Sequence, residues 1–271
     1  MTIQTVHLIY FSPTNTTHKI LNAIAEGYEP EEIKSFNLTL PHGFPPSAPF
    51  SNKELVLIGA PVYAGRLPVE AVKRLEPIRG NQTPAVIVVM YGNREFDDAL
   101  IELKHLAEKN GFIPIAAAAF IGEHSFSTPE QPIAEGRPDA DDLKMAQSFG
   151  ARIQQQLTVQ SSLDSWPGIE VPGKVPYKEH KAHQRIAPVS NTILCSLCLD
   201  CASVCPTGAI QLEDPHQTDA DLCITCCACV KICPTGARQM KDPHIRDISN
   251  RLTNTCSKRK DPDIFLVDEA R

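Results

Sequence analysis

Four cysteines at C-x2-C-x2-C-x3-C-P spacing, Cys195, Cys198, Cys201 and Cys205 ahead of Pro206, recur twenty-eight residues later as Cys223, Cys226, Cys229 and Cys233 ahead of Pro234. No other feature restricts the chain as much, because this spacing asks for thiols gathered around iron. A [4Fe–4S] cluster takes four thiolates, three from one loop with two residues between successive ligands and a fourth from elsewhere. In doubled motifs of this kind the cysteine before the proline ligates the cluster of the other motif. The sequence therefore predicts one cluster on Cys195, Cys198, Cys201 and Cys233 and a second on Cys223, Cys226, Cys229 and Cys205. The two copies, 195–209 and 223–237, agree at eight of fifteen positions, including the Pro-Thr-Gly-Ala that closes each, so an internal duplication is visible. Ile193, Leu194, Ile210, Leu212, Ile224, Val230 and Ile232 are expected to form an apolar shell that limits water access to the clusters.

Disulfides suit a short secreted chain, whereas this one opens MTIQTVHLIYF without the charged, apolar and small-residue regions of a signal peptide. A zinc ribbon needs two C-x2-C pairs and leaves the third cysteine and the C-x3-C-P of each copy unexplained. Cys227, beside Cys226, breaks the ligand spacing and reads as a packed thiol. Cys256, in a polar segment, reads as a free cysteine. The cluster segment takes about a fifth of the 271 residues, so a second and larger domain is required. No apolar stretch reaches membrane-spanning length, which gives the expectation of a soluble, cytoplasmic protein. The formal charge is −6. Eight thiolates and two doubly charged cluster cores lower it by a further four, to about −10. Nucleic acid is not expected as a partner.

Residues 1–157 alternate strands with helices. Runs 6–11, 55–60, 84–90 and 113–121 are apolar enough to be buried on both faces of a parallel sheet, and 33–38 is a more polar strand. Helical patterns fill the gaps at 17–27, 68–75, 97–110 and 139–157. The fold expected is α/β, a doubly wound five-stranded parallel sheet, followed by a small α+β cluster domain. In such a sheet the ligand lies outside the carboxyl ends of the strands, where the winding reverses. After strand one, Ser12-Pro13-Thr14-Asn15-Thr16-Thr17 is a hydroxyl-rich turn opening a helix, suited either to a phosphate or to a plain helix cap. Neither G-x4-G-K-[ST] nor G-x-G-x-x-G occurs anywhere in the chain. The loops after strands three and four carry Pro61, Val62, Tyr63, Ala64, Gly65 and Arg66, then Tyr91, Gly92, Asn93 and Arg94. Each sets a tyrosine near glycine on the ligand side, either stacked on a ring or packed at the rim of the sheet. The loop after strand five, with His124, faces a ligand, the second domain or solvent.

F-S-P-T-x-T-T at 11–17, A-P-V-Y-A-G-R-L-P at 60–68 and Y-G-N-R at 91–94 followed by D-D-A-L resemble the flavodoxin-ferredoxin fusion proteins of anaerobic prokaryotes. The resemblance covers nearly the whole chain. It implies FMN, with its phosphate on Ser12, Thr14, Asn15, Thr16 and Thr17 and its ring between 61–66 and 91–94. Where that family has glycine this chain has Asn15, the non-glycine residue best able to take φ > 0. The expected division is 1–157 for the FMN domain, 158–190 for a Pro-rich linker, 191–241 for the two-cluster domain and 242–271 for a tail. The linker's basic residues Lys174, Lys178, Lys181 and Arg185 are solvated, bind an acidic partner or lie across the first domain, and His180 with His183 is a weak metal-like pair. The tail is expected to hold one short helix over 245–252. Together these features describe an electron carrier with two [4Fe–4S] clusters and FMN, serving redox protein partners. Two other readings stay open: an iron–sulfur flavoenzyme reducing a quinone, nitro compound or metal oxyanion, and a cluster protein without flavin. A homodimer in which flavin and clusters meet across subunits is also open.

Overall fold

A computed structural model describes residues 3–41, 49–160, 162–163, 166–180, 182 and 184–267. Strands β1 (Thr5–Tyr10), β2 (Glu32–Asn37), β3 (Leu55–Pro61), β4 (Thr83–Tyr91) and β5 (Phe112–Ile121) pair in parallel in the order β2-β1-β3-β4-β5. That is the flavodoxin-like strand order, with its switch point between β1 and β3. Helices α1 (Thr16–Tyr28), α2 (Val69–Leu75), α3 (Ala99–Lys109) and α4 (Ala140–Val159) connect them. Every one of these elements begins and ends within about two residues of its predicted position.

The period of two along the strands explains the layers. Leu8, Leu57, Val86, Val88 and Ala118 face one core with Ile20, Ile24 and Phe149 of α1 and α4. Ile9, Ile58, Ile87, Val89 and Ala119 face the other with Ala71, Leu75, Leu100 and Leu103 of α2 and α3. Polar β2 is tolerable because it lies at the edge, with four of its first residues exposed. α1 and α4 meet at glycines. A Cβ on Gly150 would lie 2.0 Å from the Ile24 carbonyl oxygen, and one on Gly27 would lie 1.9 Å from that of Gln147.

Between residues 160 and 188 the linker adds no regular element among its described residues, but it is not merely solvated. Ile169 is buried in the α2/α3 core, and the amides of Lys174 and Lys178 donate to the two carboxylate oxygens of Asp98 at 2.8 and 2.7 Å. The Lys178 ammonium pairs with Asp97 at 3.1 Å, and Arg66 lies over the Tyr177 ring. The strap thus crosses the first domain beside α3. Lys181 and His183 lie outside the described residues.

The cysteine region holds β6 (Val189–Ser190), α5 (Asp200–Ser203), α6 (Ala228–Ile232) and β7 (Arg238–Gln239). β6 and β7 pair antiparallel and close the region on itself. Helix α7 (Pro243–Thr255) follows, longer than the predicted 245–252, because Asp242 caps it by accepting from the His244 and Ile245 amides and Pro243 suits its first turn. The tail then returns to the first domain. β8 (Asp263–Leu266) pairs antiparallel with β5, so the sheet has a sixth strand where the sequence predicts five. A four-residue apolar run reads ambiguously on its own. Here it is a strand because β5 offers an open edge. Arg137, paired with the fully buried Asp142, donates to the Lys260 carbonyl at 2.9 Å, and Arg259 pairs with Asp139 at the start of α4.

Candidate functional site

The two cysteine loops repeat in backbone as well as in sequence. Leu197 and Leu199 have φ of 58° and 66°, and their counterparts Thr225 and Cys227 have 54° and 57°. Gly208 and Gly236 match at 66° and 65°. Left-handed conformations in leucine, threonine and cysteine are unfavourable, and they recur in register between the first and third cysteines of each loop. A cavity in the first half is lined by Cys195, Cys198, Cys201 and Cys233, together with Arg238. Cys205 stands near enough to Cys223, Cys226 and Cys229 for its charge to act on all three. Backbone amides turn toward sulfur: Ala209 donates to Cys205 at 3.3 Å and Arg238 to Cys233 at 3.4 Å. All ten cysteines are free thiols.

At the carboxyl ends of the strands, Asn15 takes φ of 63° as the N-cap of α1 without a side-chain cap bond to the helix. Its amide oxygen meets His18 at 3.0 Å, and the His18 ring stacks on Tyr10. Ser12 Oγ accepts from the His18 amide at 3.2 Å, while Thr17 Oγ1 is buried without a partner. Thr16 lies beside Gly122, whose Cβ would meet its Oγ1 at 3.3 Å, and Thr14 is half-buried. After β3, Tyr63 and Arg66 exchange backbone hydrogen bonds of 2.8 and 3.1 Å around Ala64 and Gly65, both at positive φ, which makes a tight turn. Arg66 faces away from the loop and forks onto Glu102 with two bonds of 2.8 Å. The Val62 amide donates to the Met90 carbonyl at 2.8 Å and continues the β3–β4 pairing past Pro61. Tyr91 is buried edge-on against Phe96. Asn93 donates to the Cys256 and Lys258 carbonyls at 2.6 and 2.8 Å, leaving Oδ1 buried and unpaired. Arg94 pairs with Asp97. Gly92 is covered by His124: a Cβ there would sit 2.2 Å from the His124 ring. Burial, then Lys231 and Arg94, push His124 down to about 4, so its imidazole is neutral at pH 7.

These two regions meet. Tyr63 is raised well above an ordinary tyrosine by burial and by the thiols of Cys226, Cys227 and Cys223 next to it. Ile224, within the second cysteine loop, packs on the α2/α3 core. Lys231 of α6 pairs with Glu123 and donates to the Ser127 carbonyl at 2.7 Å, both after β5. Arg74 reaches the Pro206 carbonyl beside Cys205. Another cavity lies between the C-terminal half of α4 and β8.

Residues 194–251 match the 4Fe-4S dicluster domain family. They form a 4Fe-4S dicluster domain. No curated protein matches the chain. Among solved structures the chain is similar to a flavodoxin from the domain Archaea, with 12% identity over 57% of this chain and 99% of that one and a TM-score of 0.36. It is also similar to Fusobacterium nucleatum flavodoxin bound to flavin mononucleotide (16% identity, 58% and 98% covered, TM-score 0.35). A third is the rubredoxin oxygen:oxidoreductase of Desulfovibrio gigas (13%, 58% and 37%, TM-score 0.40). The fold assignment rests on the strand order above.

Within the dicluster domain, burial pushes Cys226 up to about 12 and Cys229 up to about 11, the latter against the opposing pull of Arg238. Thiols so placed ionise only against a strong positive charge, which is what iron brings. At Cys233 burial raises the thiol, but amide donors led by Arg238 outweigh it and leave it below its ordinary value. The expected apolar shell is only partly realised. Ile210 is buried between Cys201 and Cys229 with Val230 beside them, whereas Ile193 is 92% exposed and Leu194, Leu212 and Ile232 are also exposed. A short loop bent around one centre has an outer side, and these four lie on it. Arg238 was missed by sequence reading. Its signal is a break in the duplication, since the position twenty-eight residues earlier is Ile210.

Proposed function

We propose that this chain is an iron–sulfur flavoprotein that carries electrons between two [4Fe–4S] clusters and one FMN and exchanges them with redox protein partners. The observation that supports this most is the seating of the second cysteine loop, through Tyr63, Ile224 and Lys231, on the carboxyl ends of β3 and β5. Carboxyl ends at a switch point are where doubly wound sheets take their ligand. Clusters pass single electrons, and FMN supplies a centre that takes up one or two.

In this reading Cys195, Cys198, Cys201 and Cys233 hold one cluster, and Cys223, Cys226, Cys229 and Cys205 the other. The cavity lined by the first four supports the crossover. The left-handed N-cap Asn15, which makes no side-chain cap bond, and the orphaned Thr17 hydroxyl support a phosphate on Ser12, Thr14, Asn15, Thr16 and Thr17. Of the residues at 61–66 and 91–94, Tyr63 is best suited to meet a ring, since His124 covers Gly92. Arg66, Tyr91 and Asn93 hold the loops through Glu102, Phe96 and the tail. Residues 1–157, 158–190 and 191–241 act as flavin domain, strap and cluster domain, and the tail ties the outer two together.

Anaerobically purified protein should yield FMN on acid extraction and about eight iron and eight sulfide per chain. Thr14→Val and Thr16→Val should each weaken flavin retention; unchanged binding in both would move the phosphate elsewhere. Turnover of a small acceptor by reduced protein with no partner present would favour a flavoenzyme over a carrier.

A further inference from the structure

We infer that Arg238 is a shared cation of the two clusters, touching the ligand shell of each and raising the reduction potential of both. This rests on the two-cluster reading above. Arg238 is 2% exposed, in a position where the duplicated sequence has a buried isoleucine. Replacing an apolar core residue by a guanidinium is costly unless something answers its charge. Among the described residues no carboxylate pairs with it. Its protein partners are neutral oxygens: Nη1 donates to Ser190 Oγ at 2.7 Å and to the carbonyls of Pro215 and His216 at 3.3 and 3.4 Å, and Nη2 donates to Thr218 Oγ1.

The remaining contacts are to sulfur, one on each side. Nη2 also donates to Cys229 Sγ at 3.9 Å, a ligand of the second cluster. The backbone amide of the same residue donates to Cys233 Sγ at 3.4 Å, a ligand of the first. Arg238 further lines the cavity formed by Cys195, Cys198, Cys201 and Cys233, and its Nε is buried with no partner. A buried N–H without a protein acceptor, on a residue that lines a four-cysteine cavity, is a donor available to the cluster's own sulfur. Reduction adds a negative charge to each cluster, and a fixed cation between them favours that added charge on both sides. The conformation is set by Thr218, Ser190 and two carbonyls, so the charge cannot swing toward one cluster only.

The test is a redox titration of Arg238→Gln and Arg238→Lys against the wild type, followed by EPR, with iron and sulfide counted in each. Arg238→Gln should keep both clusters and lower both midpoints, whereas Arg238→Lys should keep both midpoints nearer the wild-type values. If Arg238→Gln fails to load while Arg238→Lys loads, the midpoints of Arg238→Lys decide: both near the wild-type values support the inference, and a shift of one alone overturns it. Unchanged midpoints in a fully loaded Arg238→Gln protein, a shift confined to one cluster, or failure of both variants to load would overturn it. A wild type without two clusters would instead overturn the reading beneath it.

Discussion

At the scale of single residues, the cysteine loops carry backbone strain that nothing local repays. Leu197, Leu199, Thr225 and Cys227 are all left-handed, at about 1–2 kcal/mol each. Such conformations persist only where the surroundings fix them, and the common factor here is the C-x2-C-x2-C segment in which all four residues stand. Cys227 is instructive because it is a cysteine at a position whose counterpart, Leu199, has no thiol. It is 2% exposed, and its Sγ–H donates to the Thr225 carbonyl at 3.7 Å. Cys227→Ser should therefore retain about eight iron per chain and lose on the order of 1 kcal/mol of stability, whereas Cys226→Ser should lose one cluster. Iron analysis decides, and the reverse pattern would make Cys227 the ligand.

Among elements, the α1–α4 contact shows packing overriding propensity. In an exposed helix, Gly→Ala gains about 0.5–1 kcal/mol. At Gly150 the added methyl would stand 2.0 Å from the Ile24 carbonyl oxygen and 2.8 Å from the Tyr28 amide, both of them backbone. Neither helix can yield without lifting Phe149 and Ile153 off the sheet, so the overpacking cost of about 1–3 kcal/mol should win. Gly150→Ala should melt several degrees below the wild type, and an unchanged or higher melting temperature would mean that the helices part freely. The turn after β3 is held in a similar way, by the fork of Arg66 on Glu102, both nearly buried. This arginine lies in a loop expected to flank a ring, yet its side chain serves the scaffold.

For the whole molecule, charge and docking make separable predictions. The formal charge of −6 becomes about −10 with clusters loaded, so exchange with a basic protein donor should slow as salt screens the approach beyond about 10 Å at 0.1 M. Transfer inside the chain, across a contact already made by Ile224 and Lys231, should be nearly indifferent to salt. Stopped-flow mixing at several ionic strengths separates the two steps; a salt dependence shared equally by both would mean that the domains must dock anew in each cycle. Among the described residues no helix is long and apolar enough to cross a membrane.

The strands and helices of the first domain were legible in the sequence because apolar period and length fix each one locally, and the cysteine spacing fixed the chemistry because a cluster ligand set is written in adjacent residues. β8 was not legible. Its partner β5 lies about 150 residues earlier, and a short apolar run becomes a strand only when an open edge is present. Nor was the role of the candidate residues: Arg66, Tyr91 and Asn93 share loops with Tyr63 and Gly92, and which of them face a ligand depends on Glu102, Phe96 and a tail that returns from the far end of the chain. Sequence by itself determined which elements of the first domain form and where the two cysteine motifs lie, since both are near-neighbour properties. Only the tertiary structure decided that the second cysteine loop rests on the carboxyl ends of the sheet and that Arg238 stands between the two sets of sulfurs, because contacts between distant segments are chosen by the packing of the whole.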